Sequence, residues 1–127
     1  MTLFSDTVLD HYRHPRNYRR LPDADRVAEV DNAVCGDRIR LELRLGEDVI
    51  ADAAFRGDGC ALSVAAASLL TELLAGQTIT RAAALRDEEL LAALDATVPP
   101  ERLQCALLPL QALRQALDGR GRDPRES

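Results

Sequence analysis

The chain has no lysine and no tryptophan, and aromatic residues make up only 3% of its 127 positions. All sixteen basic residues are therefore arginines, which excludes a lysine Schiff base or a phosphate-loop lysine within this sequence. Because large rings are scarce, the core has to be built mainly from leucine, alanine, valine and isoleucine. Aromatic stacking is not expected to form a binding site.

The sequence also has no net positive charge and no long apolar run. The net charge of -5 disfavours general nucleic-acid binding, because phosphate contacts require a basic surface. No apolar stretch approaches the ~20 residues of a membrane span, and the first residues are too polar for a signal peptide. We expect one domain over residues 1–127, in the cytoplasm, with reduced thiols and no nucleic-acid or membrane partner.

Apolar spacing divides the chain into strands followed by helices. Alternating apolar residues predict strands over residues 26–32, 39–45 and 49–56, after which Gly57-Asp58-Gly59 breaks the sheet. Helical spacing predicts helices over residues 2–13, 61–74, 78–85 and 87–94, a last helix starting at Pro99-Pro100, and a polar tail over 119–127. Strands first and helices after predict an α+β fold, in which helices cover a small antiparallel sheet.

Three cysteines occupy similar local settings although they are far apart in the sequence. Cys35 stands where a loop turns into a strand, Cys60 precedes a helix, and Cys105 lies in the first turns of the last helix. The helix N-terminus at Cys60 favours a thiolate over a thiol. Asp37 can add an oxygen ligand, so the set suits a tetrahedral zinc ion, or an iron–sulfur cluster held less firmly than by four thiolates.

A plainer interpretation of these residues remains open. Free cysteines are often buried as small apolar side chains, and a turn aspartate is commonly solvated. The odd cysteine count disfavours a disulfide framework, and His11 and His14 fit surface positions better than a metal site. Pro109 either bends the last helix by removing the N–H that would bond the Cys105 carbonyl, or marks the start of the regular helix.

Four segments resemble the U-type iron–sulfur cluster assembly scaffolds, the family of IscU, SufU and the N-terminal domain of NifU. They are "LDHYRHPRNY", "VCGDRIRLEL", "GDGCALSVAAASLLTELLAG" and "PPERLQCALL". The resemblance implies a three-stranded antiparallel sheet packed by helices, the SufE/NifU-like fold. It assigns Cys35, Asp37, Cys60 and Cys105 to a site for Zn²⁺ or a [2Fe-2S] cluster.

The resemblance implies a scaffold or zinc-dependent sulfur acceptor rather than a turnover enzyme. A cysteine desulfurase would deliver persulfide sulfur to Cys60 or Cys105, with Arg102 steering the anionic site or the partner. Recipient iron–sulfur proteins or cluster carriers would then receive the cluster components. The alternative function is a structural zinc-binding interaction module without sulfur transfer.

Departures from the family pattern indicate which branch of the family, IscU or SufU, the chain resembles more. Gln104 stands where IscU proteins carry a histidine, and "VPPER" replaces their chaperone-recognised Leu-Pro-Pro-Val-Lys segment. The strings "CGDRI" and "GDGCALS", together with Arg102, resemble SufU, although the extra segment usual in that branch is missing. The sequence therefore leaves open whether zinc or a cluster is the physiological occupant.

Overall fold

The α+β architecture predicted from the sequence is present in the computed structural model, which describes residues 5–33 and 36–118. Its elements in chain order are α1 (Asp6–Arg13), β1 (Arg26–Asn32), β2 (Asp37–Leu45), β3 (Ile50–Asp58), α2 (Ala61–Leu74), α3 (Ile79–Ala83), α4 (Asp87–Leu94) and α5 (Leu103–Leu117). A 3₁₀ turn, Pro100–Arg102, leads directly into α5. No helix in the described ranges is long and apolar enough to cross a bilayer.

The three strands form an antiparallel sheet in the order β1-β2-β3. Alternate residues of β2 point into the core, where Ile39, Leu41 and Leu43 are fully buried. Helices α2 and α5 pack against this face and against each other. Because α2 and α5 cover the same face of the sheet, their N-terminal ends can lie near the end of β2 at which Asp37 starts the strand.

Glu42 is the exception to the predicted alternation of β2. The pattern places it on the solvent face, yet it is only 3% exposed. Its Oε1 accepts the backbone N–H of Leu21 at 2.9 Å, and its Oε2 lies 3.1 Å from Arg40 Nε. The loop before β1 therefore covers this part of the sheet, and the buried carboxylate is compensated by an arginine and a backbone donor.

Several predicted boundaries differ from the structure, including the start of β2 at Asp37 and the end of α3 at Ala83. Two of the differences have identifiable reasons. Helix α1 begins at Asp6 because Ser5 caps it, accepting the Val8 N–H at 3.2 Å. Strand β3 continues through Gly57 to Asp58, because a residue without a side chain allows close approach to the Arg38 carbonyl. The predicted polar tail lies outside the described residues.

Helix α5 resolves the two alternatives for Pro109. The helix runs from Leu103 to Leu117, and Pro109 lies inside it. The alternative in which the helix starts at Pro109 is wrong. Cys105 is therefore the third residue of a regular helix and is fully buried.

A buried histidine holds α1 against α2. His11 is 6% exposed, and its Nδ1 lies 2.7 Å from Ser68 Oγ. The same hydroxyl accepts the Arg16 backbone N–H at 2.8 Å, which leaves its proton for Nδ1 and favours a neutral imidazole protonated at Nε2. Burial lowers the pKa of His11, and Arg16 lowers it further, while Glu72 and Asp10 oppose the shift.

The apo protein is expected to lose stability as the pH falls below the ordinary histidine value of about 6.5. In that range His11 is protonated in the unfolded chain but stays neutral in the folded chain, because its pKa is lower there. The free energy of unfolding therefore decreases by up to about 1.4 kcal/mol for each pH unit of acidification. Urea unfolding at a series of pH values, with a chelator present, measures the slope. His11→Asn should flatten it, whereas the exposed His14→Gln should not. A slope unchanged in His11→Asn would assign the acid sensitivity to other groups.

Candidate metal centre

Three side chains with metal-binding atoms converge where β2, α2 and α5 begin. Asp37 is the first residue of β2, Cys60 is the N-cap of α2, and Cys105 lies in the first turn of α5. The ligand atoms of the three all lie within 4.8 Å of one another. The fold thus brings together three of the four residues that the sequence singles out.

Asp37 and Cys60 are joined directly. The Asp37 carboxylate is almost completely buried, and its Oδ1 accepts the Cys60 backbone N–H at 2.8 Å. Its Oδ2 lies 3.9 Å from Cys60 Sγ. A buried carboxylate is unfavourable unless it is hydrogen-bonded or binds a cation. One oxygen is engaged by the start of α2, and the other faces the sulfur.

The spacing and chemistry of these donors fit a zinc ion. Zinc bonds of ~2.0 Å to oxygen and ~2.3 Å to sulfur place the two ligand atoms about 3.5 Å apart in a tetrahedral site. The observed 3.9 Å between Asp37 Oδ2 and Cys60 Sγ needs only a small adjustment. Thiolates select zinc or iron–sulfur clusters over hard cations, so two sulfurs and a carboxylate suit either occupant.

The two described cysteines differ in their access to solvent. Cys105 is completely buried, whereas Cys60 is partly exposed. An open cavity of about 300 Å³ borders Asp37, and it is lined also by Asp31, Ala33, Gly36, Arg38 and Asp58. Of the two described sulfurs, Cys60 is therefore the one that a reagent or partner can reach more readily.

Of the other predicted site residues, one lies outside the described residues and one makes no hydrogen bond or ion pair with Asp37 or Cys60 in the described structure. Cys35 lies outside the described residues. Arg102 ends the 3₁₀ turn before α5 and is partly buried, and no hydrogen bond or ion pair joins it to Asp37 or Cys60 in the described ranges. The steering role for Arg102 stays a prediction. His11 contacts Ser68 and Glu72 instead of the three-residue group.

Two neighbours of Cys60 were missed by sequence reasoning. Ser63 is fully buried, and its hydroxyl donates to the Cys60 carbonyl at 3.1 Å while lying 3.9 Å from Sγ. Gly59 leaves room for the site, because a Cβ there would overlap the Asp37 carboxylate and the Ser63 hydroxyl. The available signals were a glycine just before the cysteine and a serine one helical turn after it.

Comparison with known proteins gives consistent matches over most of the chain. The sequence model described as NifU-like N terminal domain matches residues 3–121. The iron-sulfur cluster assembly scaffold protein IscU 1 of Archaeoglobus fulgidus is 36% identical over 115 residues, covering 91% of this chain and 74% of that protein. The zinc-dependent sulfurtransferase SufU of Bacillus subtilis is 43% identical over 81 residues, covering 64% of this chain and 54% of that protein.

Solved structures agree with the sequence matches. A crystal structure from Fervidobacterium islandicum AW-1, described as a candidate iron-sulfur cluster assembly scaffold protein for the SUF system, matches with a TM-score of 0.76 and 26% identity. The match covers 91% of this chain and 96% of that one. The range 3–121 matched at the sequence level includes Asp37, Cys60 and Cys105.

Proposed function

The chain belongs to the NifU-like N-terminal domain family, as its four motif segments predicted, and on that premise we propose that it accepts sulfur from a cysteine desulfurase for iron–sulfur cluster assembly. The observation that carries the proposal is the convergence of Asp37, Cys60 and Cys105, whose ligand atoms lie within 4.8 Å of one another. Sulfur accepted there is assembled into, or passed on as, cluster components for recipient iron–sulfur proteins or cluster carriers.

In this proposal Asp37, Cys60 and Cys105 hold the metal, and Cys35, two residues before Asp37 in the sequence, is the fourth ligand. Zinc bound by these residues would keep their sulfurs as thiolates. A [2Fe-2S] cluster would be the cargo of the same residues. The relatives named as a scaffold and as a zinc-dependent sulfurtransferase support one ligand set with these two uses.

Cys60 is the proposed sulfur acceptor, because it is the more accessible of the two described cysteines. Its thiolate attacks the outer sulfur of the desulfurase persulfide. A new S–S bond forms at Cys60, the donor's S–S bond breaks, and the donor cysteine leaves as a thiolate. Cys105, fully buried beside it, is suited to holding metal or completing the site after transfer.

The cellular setting follows from the same chemistry. Thiolate ligands need a reducing compartment, which supports the cytoplasm as the location. The acidic net charge of -5 supports protein partners over nucleic acid. The proposed partners are a cysteine desulfurase and the recipients of its sulfur, with Arg102 as a steering residue for one of them.

Desulfurase turnover tests the proposed function. The cognate cysteine desulfurase is assayed for cysteine consumption with and without the zinc-loaded protein, and the protein is then analysed for a persulfide at Cys60. Metal analysis should find about one zinc per chain, and turnover should rise when the protein is added. Bound zinc with unchanged turnover would favour the structural zinc module. A chain that binds no zinc under reducing conditions would contradict both functions.

A further inference from the structure

Ser63 lies beside the Cys60 sulfur in the first turn of α2. Its side chain is completely buried, and its Oγ is 3.9 Å from Cys60 Sγ. Asp37 Oδ2 lies at the same distance from the sulfur. The Cys60 sulfur therefore has a hydroxyl and a carboxylate as its two described polar contacts.

Metal binding at Cys60 changes what these contacts must supply, because a metal-bound cysteine sulfur is a thiolate. A thiol donates its S–H weakly to either oxygen, whereas a thiolate has no proton and can only accept. The Asp37 carboxylate cannot donate in its ionised form. Of the two contacts, the Ser63 hydroxyl is then the one that can supply a hydrogen bond to the sulfur.

The hydroxyl can turn toward the sulfur without leaving the Cys60 carbonyl unsatisfied. Ser63 Oγ donates to that carbonyl at 3.1 Å, but the carbonyl also accepts the Val64 N–H at 3.2 Å. Hydrogen bonds to charged acceptors are roughly twice as strong as those between neutral groups. Rotation of a buried O–H toward an adjacent thiolate is therefore favoured and requires little movement of the helix.

We propose that Ser63 is a positioning residue that donates a hydrogen bond to the Cys60 thiolate when the site holds metal, and that this weakens the hold of Cys60 on the metal. The proposal rests on the proposed function, because it requires Cys60 to be a metal ligand. Hydrogen bonds to ligand sulfurs withdraw electron density from the metal–sulfur bond and tune metal sites. Ser63 thereby makes Cys60 easier to release from the metal, which leaves its sulfur ready to accept sulfur from the donor.

Cobalt substitution and zinc release test this role without relying on sulfur transfer. With Co²⁺ as the probe, Ser63→Ala should move the sulfur-to-cobalt charge-transfer band to lower energy, because the thiolate becomes a stronger donor. Zinc release to an excess of chelator should become slower than in the wild type. A serine that only supports the fold would give the opposite sign, since a loosened site releases its metal faster.

Two control variants show whether an effect of Ser63→Ala comes from the loss of the hydroxyl beside Cys60. Ser68→Ala removes another fully buried hydroxyl from α2, outside the described metal group, and should leave the cobalt band unchanged. Ser63→Thr keeps the hydroxyl and should restore the wild-type band. An identical band in wild type and Ser63→Ala, or faster zinc release from Ser63→Ala, would overturn the role of Ser63 alone. Failure of the wild type to bind either ion would overturn both this role and the proposed function.

Discussion

Replacing Cys60 with serine is expected to lower zinc affinity by more than about 100-fold while leaving the apo fold at least as stable. The sulfur is one of three ligand atoms within 4.8 Å of one another, so its loss removes a direct ligand. Cys60 is also the N-cap of α2, yet its side chain makes no capping hydrogen bond. Serine is a strongly preferred N-cap and can add about 0.5–1 kcal/mol to the apo protein.

Zinc competition with a chromophoric chelator and urea unfolding of the apo protein measure these two effects separately. Cys60→Ala is the matched control, because it loses the ligand without gaining a cap. The two variants should bind zinc equally poorly, and the serine variant should be the more stable in the apo state. Wild-type zinc affinity in Cys60→Ser would show that the sulfur is not a ligand.

Cys60→Ser is expected to lower zinc affinity but to raise apo stability, so the two measurements separate metal binding from folding. A small core of aliphatic residues already buries α2 and α5 against the sheet, as Leu62, Leu70 and Leu110 show by their nearly complete burial. We therefore expect the apo chain to fold without zinc. Zinc would add stability only through its preferential binding to the folded chain.

Periodic patterns predicted the interior of the fold well. The bounds of β1, α2 and α4 agree with the predicted ranges 26–32, 61–74 and 87–94. In each case the pattern of apolar and polar residues changes at the ends of the segment, and that information is local. A chain segment whose burial depends only on its own period can be located from the sequence.

The features that the sequence did not predict depend on contacts between distant segments. Glu42 has the spacing of a solvent-facing residue, but the Leu21 N–H and Arg40 bury it. Gly57 was expected to end β3, because a glycine in a strand often marks a break, whereas here it permits close packing on β2. Neither outcome can be read from one segment, since each depends on a partner elsewhere in the chain.

The site residues also divide into those that local sequence reveals and those that depend on contacts in the folded chain. Asp37, Cys60 and Cys105 were identified from residue type and local setting, because few side chains bind soft metals and each of these stands at the end of an element. Ser63 was missed because a serine in the first turn of a helix is commonly explained by bonding to its own backbone. Its proximity to the sulfur depends on the rotamers of both side chains, which the pattern does not specify.

Asp37 is expected to have two separable roles, which alanine and asparagine distinguish. Asp37→Ala removes the acceptor of the partly buried Cys60 N–H and should cost about 1–3 kcal/mol of apo stability. Asp37→Asn keeps an acceptor oxygen at the same place and should therefore cost less apo stability than Asp37→Ala. Both variants lose the anionic oxygen that faces the sulfur, so both should bind zinc, but about 10–100-fold more weakly and with faster release.

Comparing the two Asp37 variants separates the roles of the two carboxylate oxygens, because apo stability reports on Oδ1 and zinc affinity reports on Oδ2. Zinc affinities that are equally weakened relative to the wild type, with unequal apo stabilities, would assign Oδ1 to the start of α2 and Oδ2 to the metal. If asparagine destabilises the apo protein as much as alanine, the negative charge rather than the hydrogen bond supports the helix, as the helix dipole would allow. If neither variant alters zinc affinity or release, Asp37 is a structural residue of the turn and the metal is held by sulfur.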